Sequence, residues 1–204
     1  MELVDRKSRG KARIAVFVSG GGTNLQALID EEKAGKFPDA EIVLVVSGSR
    51  DAYALKRAEN AGIETVVCVG KDREADMLKA LREYGIDMVV LAGYLKILSS
   101  KFIDDVGIPI INIHPALLPK HGGKGCYGLN VHEQVIEAGE KETGATVHYV
   151  NEITDGGEII IQRPVAVEDG DTPEILQRRV MEQAEWKILP EAVRIVSRKI
   201  LKDK

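Results

Sequence analysis

Asn112 and His114 are the residues whose types and spacing first suggest catalysis. They stand two apart at the end of the apolar stretch 108–113, and Pro115 follows them. Because side chains alternate along a strand, the amide and the imidazole should project from the same face. Pro115 lacks an N–H and restricts the residue before it, so the strand should end near His114. Ligands of α/β sheets bind at such carboxyl ends, although a core histidine beside a turn asparagine would show the same spacing.

Asp155 is a third candidate, because it lies in the glycine-flanked segment 151–157 between two predicted strands. If its carboxylate reaches His114, the group combines an oxyanion donor with an imidazole and a residue that orients it. An asparagine amide directed at an oxyanion can contribute ~3 kcal/mol to lowering the barrier. Imidazole, with an ordinary pKa of about 6.5, exchanges protons near neutrality. No Ser or Cys nucleophile elbow lies beside the histidine, which favours direct attack by a substrate group. A simple hairpin turn would also explain Asp-Gly-Gly.

The segment 19–24, Ser-Gly-Gly-Gly-Thr-Asn, lies between the first predicted strand and its helix. Backbone N–H groups of such a loop, together with the helix N-terminus, bind anions. The pattern GxGxxG fails at Leu25, and the Lys-Ser/Thr pair of the Walker loop is absent. A phosphate monoester is therefore the ligand that fits best, and a turn without a ligand is the alternative. The residues involved would be Gly20, Gly21 and Gly22, which permit close approach, with Thr23 and Asn24 as donors or helix caps.

Short apolar runs alternate with amphipathic stretches along the chain from Arg13 onward. Strands are predicted at 14–18, 42–46, 65–69, 88–92 and 108–113, and then at 145–150 and 158–167. Helices are predicted from about residue 24 to the stop at Gly35, at 52–61, 73–83 and 131–138, and from Pro173, which Thr172 should cap. We expect Pro190 to kink or interrupt the last helix before it resumes at 192–200.

This alternation predicts an α/β fold consisting of one Rossmann-like, doubly wound sheet that is mostly parallel. The last two strands follow each other closely and should add an antiparallel extension, and a long C-terminal helix should follow. Residues 1–11 are polar and should form a flexible tail. The glycine-rich stretch 121–128 should be a mobile loop.

Composition indicates the class of protein. The chain has 28 Lys plus Arg against 32 Asp plus Glu, without the excess of positive charge expected of a nucleic-acid binder. Its two cysteines lie far apart and form no metal-ligand pattern, so we expect a reduced cytoplasmic protein without a metal site. No apolar run approaches the ~18 residues that a membrane span needs.

Four segments together resemble the phosphoribosylglycinamide formyltransferases (glycinamide ribonucleotide transformylases) of the folate-dependent formyltransferase family. They are 19–24, 91–98, 112–119 and 155–157, in that order along nearly the whole chain. The resemblance implies a formyltransferase domain over 12–204, with a phosphate-binding half (12–112) and a folate-binding and catalytic half (113–204). It also implies transfer of a formyl group from 10-formyltetrahydrofolate to the amine of glycinamide ribonucleotide in purine biosynthesis, by a monomer or homodimer.

The resemblance further assigns roles to individual positions. Asn112, His114 and Asp155 match the catalytic set. In it, Asn112 and a protonated His114 would stabilise the oxyanion, His114 would transfer the proton, and Asp155 would orient His114 and hold it charged. Glu185 matches a ribotide-binding glutamate, although one extra residue precedes it here. The ribotide would be bound by Gly21, Gly22, Thr23, Asn24 and Glu185. The folate would be bound by Arg73, Leu95, Lys96, Ile97, Leu98 and Asn112.

Other functions fit parts of the pattern. A formyltetrahydrofolate hydrolase, a methionyl-tRNA formyltransferase or a sugar-amine formyltransferase would share the catalytic trio. Segment 47–50, Ser-Gly-Ser-Arg, would suit the 2′-phosphate of NADP in an oxidoreductase, and a non-catalytic nucleotide-binding module is a third class. The stretch 121–128 departs from the family pattern, so its residues receive no role. His132 and His148 fit structural or solvated positions better than catalytic ones.

Overall fold

The structure is a computed structural model that describes residues 10–203, so most of the predicted tail lies outside the described residues. The elements in chain order are β1 Ala12–Val18, α1 Thr23–Lys33, β2 Ala40–Ser47, α2 Tyr53–Ala61, β3 Glu64–Val67, α3 Arg73–Glu83, β4 Met88–Leu91, α4 Ser100–Val106, β5 Ile110–His114, α5 Leu129–Glu137, β6 Glu142–Tyr149, β7 Ile159–Ala166, α6 Pro173–Val180, a π-helix Met181–Glu185 and α7 Trp186–Lys202.

The strands form a seven-stranded sheet in the order β3-β2-β1-β4-β5-β6-β7. The parallel pairs join β1 to β2, β1 to β4 and β2 to β3. The pairs β5–β6 and β6–β7 are antiparallel. The predicted fold class, a mostly parallel Rossmann-like sheet with an antiparallel C-terminal extension and a long C-terminal helix, is confirmed.

The chain divides into two compact units, one running to Ile110 and including the residues from Val193 onward, the other Ile111–Ala192. In the first unit, β1 is buried along nearly its whole length, as its run of β-branched and aromatic residues predicts. Phe17 packs edge-on against Tyr94, with ring centroids 5.6 Å apart, and also contacts Phe102 at 6.5 Å. The predicted division into a phosphate-binding half and a folate-binding and catalytic half is defined by ligand binding, and it stays a prediction.

In the second unit, the pairing of β5 with β6 sets the positions of the candidate catalytic side chains. Asn112 lies opposite His148, and His114 lies opposite Thr146. Gly144 on β6 allows β7 to approach closely, because an added Cβ would stand only 2.1 Å from the carbonyl oxygen of Arg163. The sheet register therefore brings a second histidine beside the predicted pair.

The structure corrects the prediction in three places. Helix α4 was missed, because its seven residues are too few to show a periodic pattern; Ser99 caps it by accepting a hydrogen bond from the Phe102 N–H at 3.1 Å. Strand β5 begins at Ile110 rather than at residue 108. The predicted interruption of the last helix at Pro190 was wrong, since α7 continues through this residue. The irregular turn lies before Pro190, in the π-helix, which ends next to Trp186. Because Pro190 has no N–H, the Trp186 carbonyl lacks its usual helical donor.

A buried ion pair fixes the start of α6. Asp171 accepts hydrogen bonds from both terminal nitrogens of Arg179, one of them at 2.7 Å, and the two side chains are only 4% and 14% exposed. The neighbouring Arg178 instead reaches Glu182 at 2.8 Å with 79% of its side chain exposed. Two neighbouring arginines of α6 thus each pair with a carboxylate, one at a largely covered site and the other at an exposed one.

We expect Arg179→Met to lower the free energy of unfolding by about 2 kcal/mol, because it leaves a part-buried carboxylate without its charged partner. The matched control Arg178→Met should change it by less than about 1 kcal/mol, since exposed pairs contribute little. Urea denaturation of both variants measures the difference. Equal losses would show that the Asp171 pair does not anchor this helix.

Candidate active site

Asn112, His114 and Asp155 lie together in the second unit. Asp155 Oδ2 is 3.5 Å from His114 Nδ1, and the Asn112 amide nitrogen donates to Asp155 Oδ1 at 3.5 Å. His114 is buried, and only 11% of the Asp155 side chain is exposed. The structure therefore brings together the amide, the imidazole and the carboxylate that the sequence predicts from separate segments.

Asp155 reaches this position from a strained turn. Its φ is 55°, in the left-handed region that non-glycine residues seldom adopt. Gly157 beside it has no room for a side chain, since an added Cβ would lie 1.7 Å from the Tyr149 carbonyl oxygen. The Gly123 N–H donates to Asp155 Oδ2 at 2.9 Å, which ties the carboxylate to the 121–128 stretch. Burial raises the pKa of Asp155, but hydrogen bonds and positive charge from His148, His114 and Gly123 outweigh it, so the net pKa lies below its usual value.

His114 has one nitrogen fixed by the backbone. Its Nε2 is 2.8 Å from the carbonyl oxygen of His121, so Nε2 carries the hydrogen and Nδ1 faces Asp155. Burial lowers the pKa of His114 more than the Asp155 charge and the His121 carbonyl raise it. The charge of Asp155 raises the pKa of His114, in the direction that the sequence expectation requires, but desolvation is the larger effect. Whether Asp155 holds His114 charged stays a prediction.

His148 is a member of this cluster that the sequence left as structural or solvated. It is buried opposite Asn112, and its Nδ1 donates to the Tyr149 carbonyl at 2.7 Å. Its Nε2 can then accept a hydrogen bond from the Asn112 amide at 3.1 Å. The same Nε2 lies 3.6 Å from Asp155 Oδ1. The signal that could have found it is the alternation along β6, which places His148 and Thr146 on one face.

Thr146 positions the chain that follows His114. Its hydroxyl donates to the Ala116 carbonyl at 2.7 Å and accepts from the Leu118 N–H at 3.1 Å. Gln162 on β7 donates to both the Thr146 hydroxyl and the Leu118 carbonyl, at 2.8 and 2.9 Å. Buried polar groups bonded in this way hold a loop in one conformation. This loop leads to the His121 carbonyl, which contacts His114.

The glycine-rich segment lies in the first unit, at the end of β1. Gly22 precedes α1 with a φ of 72°, and Thr23 and Asn24 form the first turn of that helix. Gly20 and Gly21 are exposed. Within residues 10–203, the N–H groups of Gly21 and Gly22 donate to no other protein group. This loop thus has the exposed donors of an anion site.

The predicted folate residues also belong to the first unit. Arg73 donates to the Ile97 carbonyl at 3.3 Å, so the structure joins it to the 95–98 segment. Leu95 and Ile97 are 60% and 63% exposed, and Lys96 is exposed too, whereas Leu98 is buried. Two large apolar side chains on a loop surface favour a ligand-facing wall over a core position.

Glu185 is buried at the end of the π-helix, which packs against β6 and β7 in the second unit. A π-turn holds one more residue than an α-turn, so it can take in an extra residue without rotating the helix that follows. An additional residue before Glu185, which the resemblance implies, would fit in this turn.

The NADP alternative loses support from the turn after β2. Ser47 is fully buried, and its hydroxyl donates to the Ser49 carbonyl at 2.6 Å while accepting from the Ser49 N–H. The Ser49 hydroxyl accepts from the Asp51 N–H at 3.3 Å. These serines therefore serve the turn itself. In residues 10–203 there is no His/Cys/Asp/Glu group that could hold a metal, and no described helix is long and apolar enough to cross a membrane.

Comparison with known proteins agrees with this arrangement. Residues 12–193 match the formyl transferase family. The chain belongs to that family. It is 43% identical over 184 residues to the phosphoribosylglycinamide formyltransferase of Haemophilus influenzae, covering 87% of this chain and 84% of that protein. It is also 43% identical over 193 residues to the trifunctional purine biosynthetic protein adenosine-3 of Homo sapiens, covering 92% of this chain and 18% of that protein.

A solved structure is similar as well. The crystal structure of glycinamide ribonucleotide transformylase 1 from Symbiobacterium toebii superimposes with a TM-score of 0.85 at 37% identity, covering 93% of this chain and 89% of that chain. The formyl transferase fold is therefore shared over nearly the whole length of the chain.

In this formyl transferase, His132 on α5 is fully buried, and neither ring nitrogen has a hydrogen-bond partner in the part of the chain that the structure describes. Burial, with a smaller effect of positive charge on His114, lowers its pKa to about 4. Since the unfolded chain takes up a proton below pH ~6.5, the folded state must lose stability as the pH falls from there to about 4.

We predict that His132→Leu removes about 3 kcal/mol of this acid-induced loss. Urea denaturation at several pH values between 7.5 and 4 measures it, with the exposed Asn130→Ala on the same helix as control. A variant whose stability falls as steeply with pH as that of the wild type would contradict the prediction.

Proposed function

We propose that this protein transfers the formyl group of 10-formyltetrahydrofolate to the amine of glycinamide ribonucleotide, a step of de novo purine biosynthesis. The observation that carries the proposal is the buried cluster of Asn112, His114 and Asp155, which contains an oxyanion donor and a proton carrier. The names of the similar proteins supply the ribotide and the formyl transfer. The folate donor is the one that the family resemblance implies. The cytoplasm as location, and a monomer or homodimer, belong to the same proposal.

The amine nitrogen of the ribotide attacks the formyl carbon directly. The resulting oxyanion accepts a hydrogen bond from Asn112, whose bond to Asp155 is long at 3.5 Å and easily exchanged. The other amide hydrogen stays with His148 at 3.1 Å and keeps the amide oriented. A preorganised donor of this kind contributes ~3 kcal/mol to lowering the barrier.

His114 carries the proton. Burial lowers its pKa, which favours the neutral imidazole that can accept a proton from the attacking amine. Asp155, whose own pKa is lowered, is ionised and stabilises the imidazolium that forms. His114 then gives the proton to the departing folate nitrogen as the carbon–nitrogen bond breaks. The products are the formylated amine and tetrahydrofolate, and no proton is gained or lost overall.

The two substrates have separate sets of contacts. We assign the ribotide phosphate to the N–H groups of Gly21 and Gly22 with Thr23 and Asn24, and another ribotide contact to Glu185. The folate is assigned to Arg73, Leu95, Lys96, Ile97, Leu98 and Asn112. The exposed Leu95 and Ile97 support the folate assignment, since a pteridine ring needs an apolar wall.

The direct test follows release of tetrahydrofolate from 10-formyltetrahydrofolate with and without glycinamide ribonucleotide. We expect turnover only with the ribotide. His114→Ala and Asp155→Asn should lower kcat/KM by roughly 100-fold or more, since each removes part of the proton-transfer machinery. The control Asp169→Asn removes a carboxylate that is 99% exposed and should leave turnover unchanged.

Two outcomes would contradict the proposal. Equal tetrahydrofolate release without the ribotide would identify a hydrolase. Full activity of Asp155→Asn would show that the carboxylate has no part in the reaction.

A further inference from the structure

Helix α2 makes three contacts with the glycine-rich loop, all within the first unit. The Ala54 N–H donates to the Gly20 carbonyl at 3.1 Å. The Nε–H of Arg57 donates to the Gly21 carbonyl at 2.8 Å. The Ala54 side chain packs against Gly22, where an added Cβ would lie 2.6 Å from its own. The carbonyl side of the loop is thus bound to one helix.

The orientation of these carbonyls determines where the loop N–H groups point. In a trans peptide the C=O and the following N–H lie in one plane and point in opposite directions. Bonding the carbonyls of Gly20 and Gly21 to α2 therefore directs the N–H groups of Gly21 and Gly22 away from it. These are the exposed donors that the proposed function assigns to the ribotide phosphate.

Arg57 is itself held in place. Its guanidinium lies 5.1 Å from the centre of the Tyr53 ring, and its Nη1 donates to the Gln26 side chain at 3.0 Å. An arginine fixed on an aromatic ring and an amide loses little further freedom when it holds a carbonyl. Its charge also polarises the Gly21 carbonyl, which strengthens the N–H of the same peptide as a donor.

We propose that Arg57 is a positioning residue for the binding of phosphorylated substrate. It acts on that binding by fixing the peptide plane between Gly21 and Gly22. The inference rests on the proposed function for the identity of the substrate. It assigns to Arg57 a contribution to ribotide affinity but none to the chemical step or to the folate contacts.

Two substitutions of Arg57 distinguish the effect of its hydrogen-bond donor from the effect of side-chain packing. Arg57→Met keeps the length of the side chain but has no donor, so KM for the ribotide should rise roughly tenfold or more. Arg57→Gln places an amide N–H where the Nε–H of arginine stood, so KM should stay within about threefold of wild type. In both variants kcat and KM for 10-formyltetrahydrofolate should be unchanged. The control Lys56→Met removes an exposed cation from the same helix.

Isothermal titration with ribose 5-phosphate provides a readout that does not need turnover. We expect binding to wild type, Arg57→Gln and Lys56→Met, and weaker binding to Arg57→Met.

If Arg57→Met binds the phosphate as tightly as wild type, or if kcat falls instead of KM rising, the inference is overturned while the formyl transfer stands. If Arg57→Gln is as impaired as Arg57→Met, charge alone is responsible and the peptide-plane explanation is wrong. If wild type binds ribose 5-phosphate but transfers no formyl group, the proposed function fails, and the contribution of Arg57 to phosphate binding is still measured.

Discussion

The carboxylate of Asp155 is the group shared by the separate segments of the candidate active site. It accepts from the Gly123 N–H and the Asn112 amide, and it lies within 3.6 Å of the nitrogens of His114 and His148. Moving it would leave a strand, a loop and a hairpin without their common partner. The strained φ of Asp155 is consistent with this, since local strain persists only where surrounding contacts compensate for it.

Burial and charge oppose each other at His114, and their balance gives the residue its proposed part in proton transfer. Desolvation lowers the pKa of the imidazole, while the nearby carboxylate raises it and stabilises a positive charge there. The hydrogen bond from Nε2 to the His121 carbonyl fixes the ring and its tautomer. His121, like Asp155, has a positive φ, so both strained non-glycine residues of the described chain border the same imidazole.

The sequence predicted the parts whose signals are local. Strand β1 is a continuous apolar run, α3 has the predicted bounds 73–83, and Thr172 caps α6 through the Ile175 N–H as expected. The sequence analysis missed two contacts that depend on tertiary pairing. His148 becomes part of the cluster only through the register of β5 and β6, and Arg57 reaches the glycine loop from another element. The π-helix was missed too, because the sequence analysis placed the disruption of the last helix at Pro190 instead.

Nitrogen-detected NMR of the histidine side chains tests directly whether Asp155 organises this cluster. At pH 7, His114 should be neutral with its hydrogen on Nε2, and the Nδ1 of His148 should carry a hydrogen. The pKa of His114 should lie below the ordinary 6.5 and fall further in Asp155→Asn, because that variant removes the neighbouring negative charge that raises it. A charged His114 at pH 7, or a His114 pKa that is unchanged or higher in Asp155→Asn, would contradict the role given to the carboxylate.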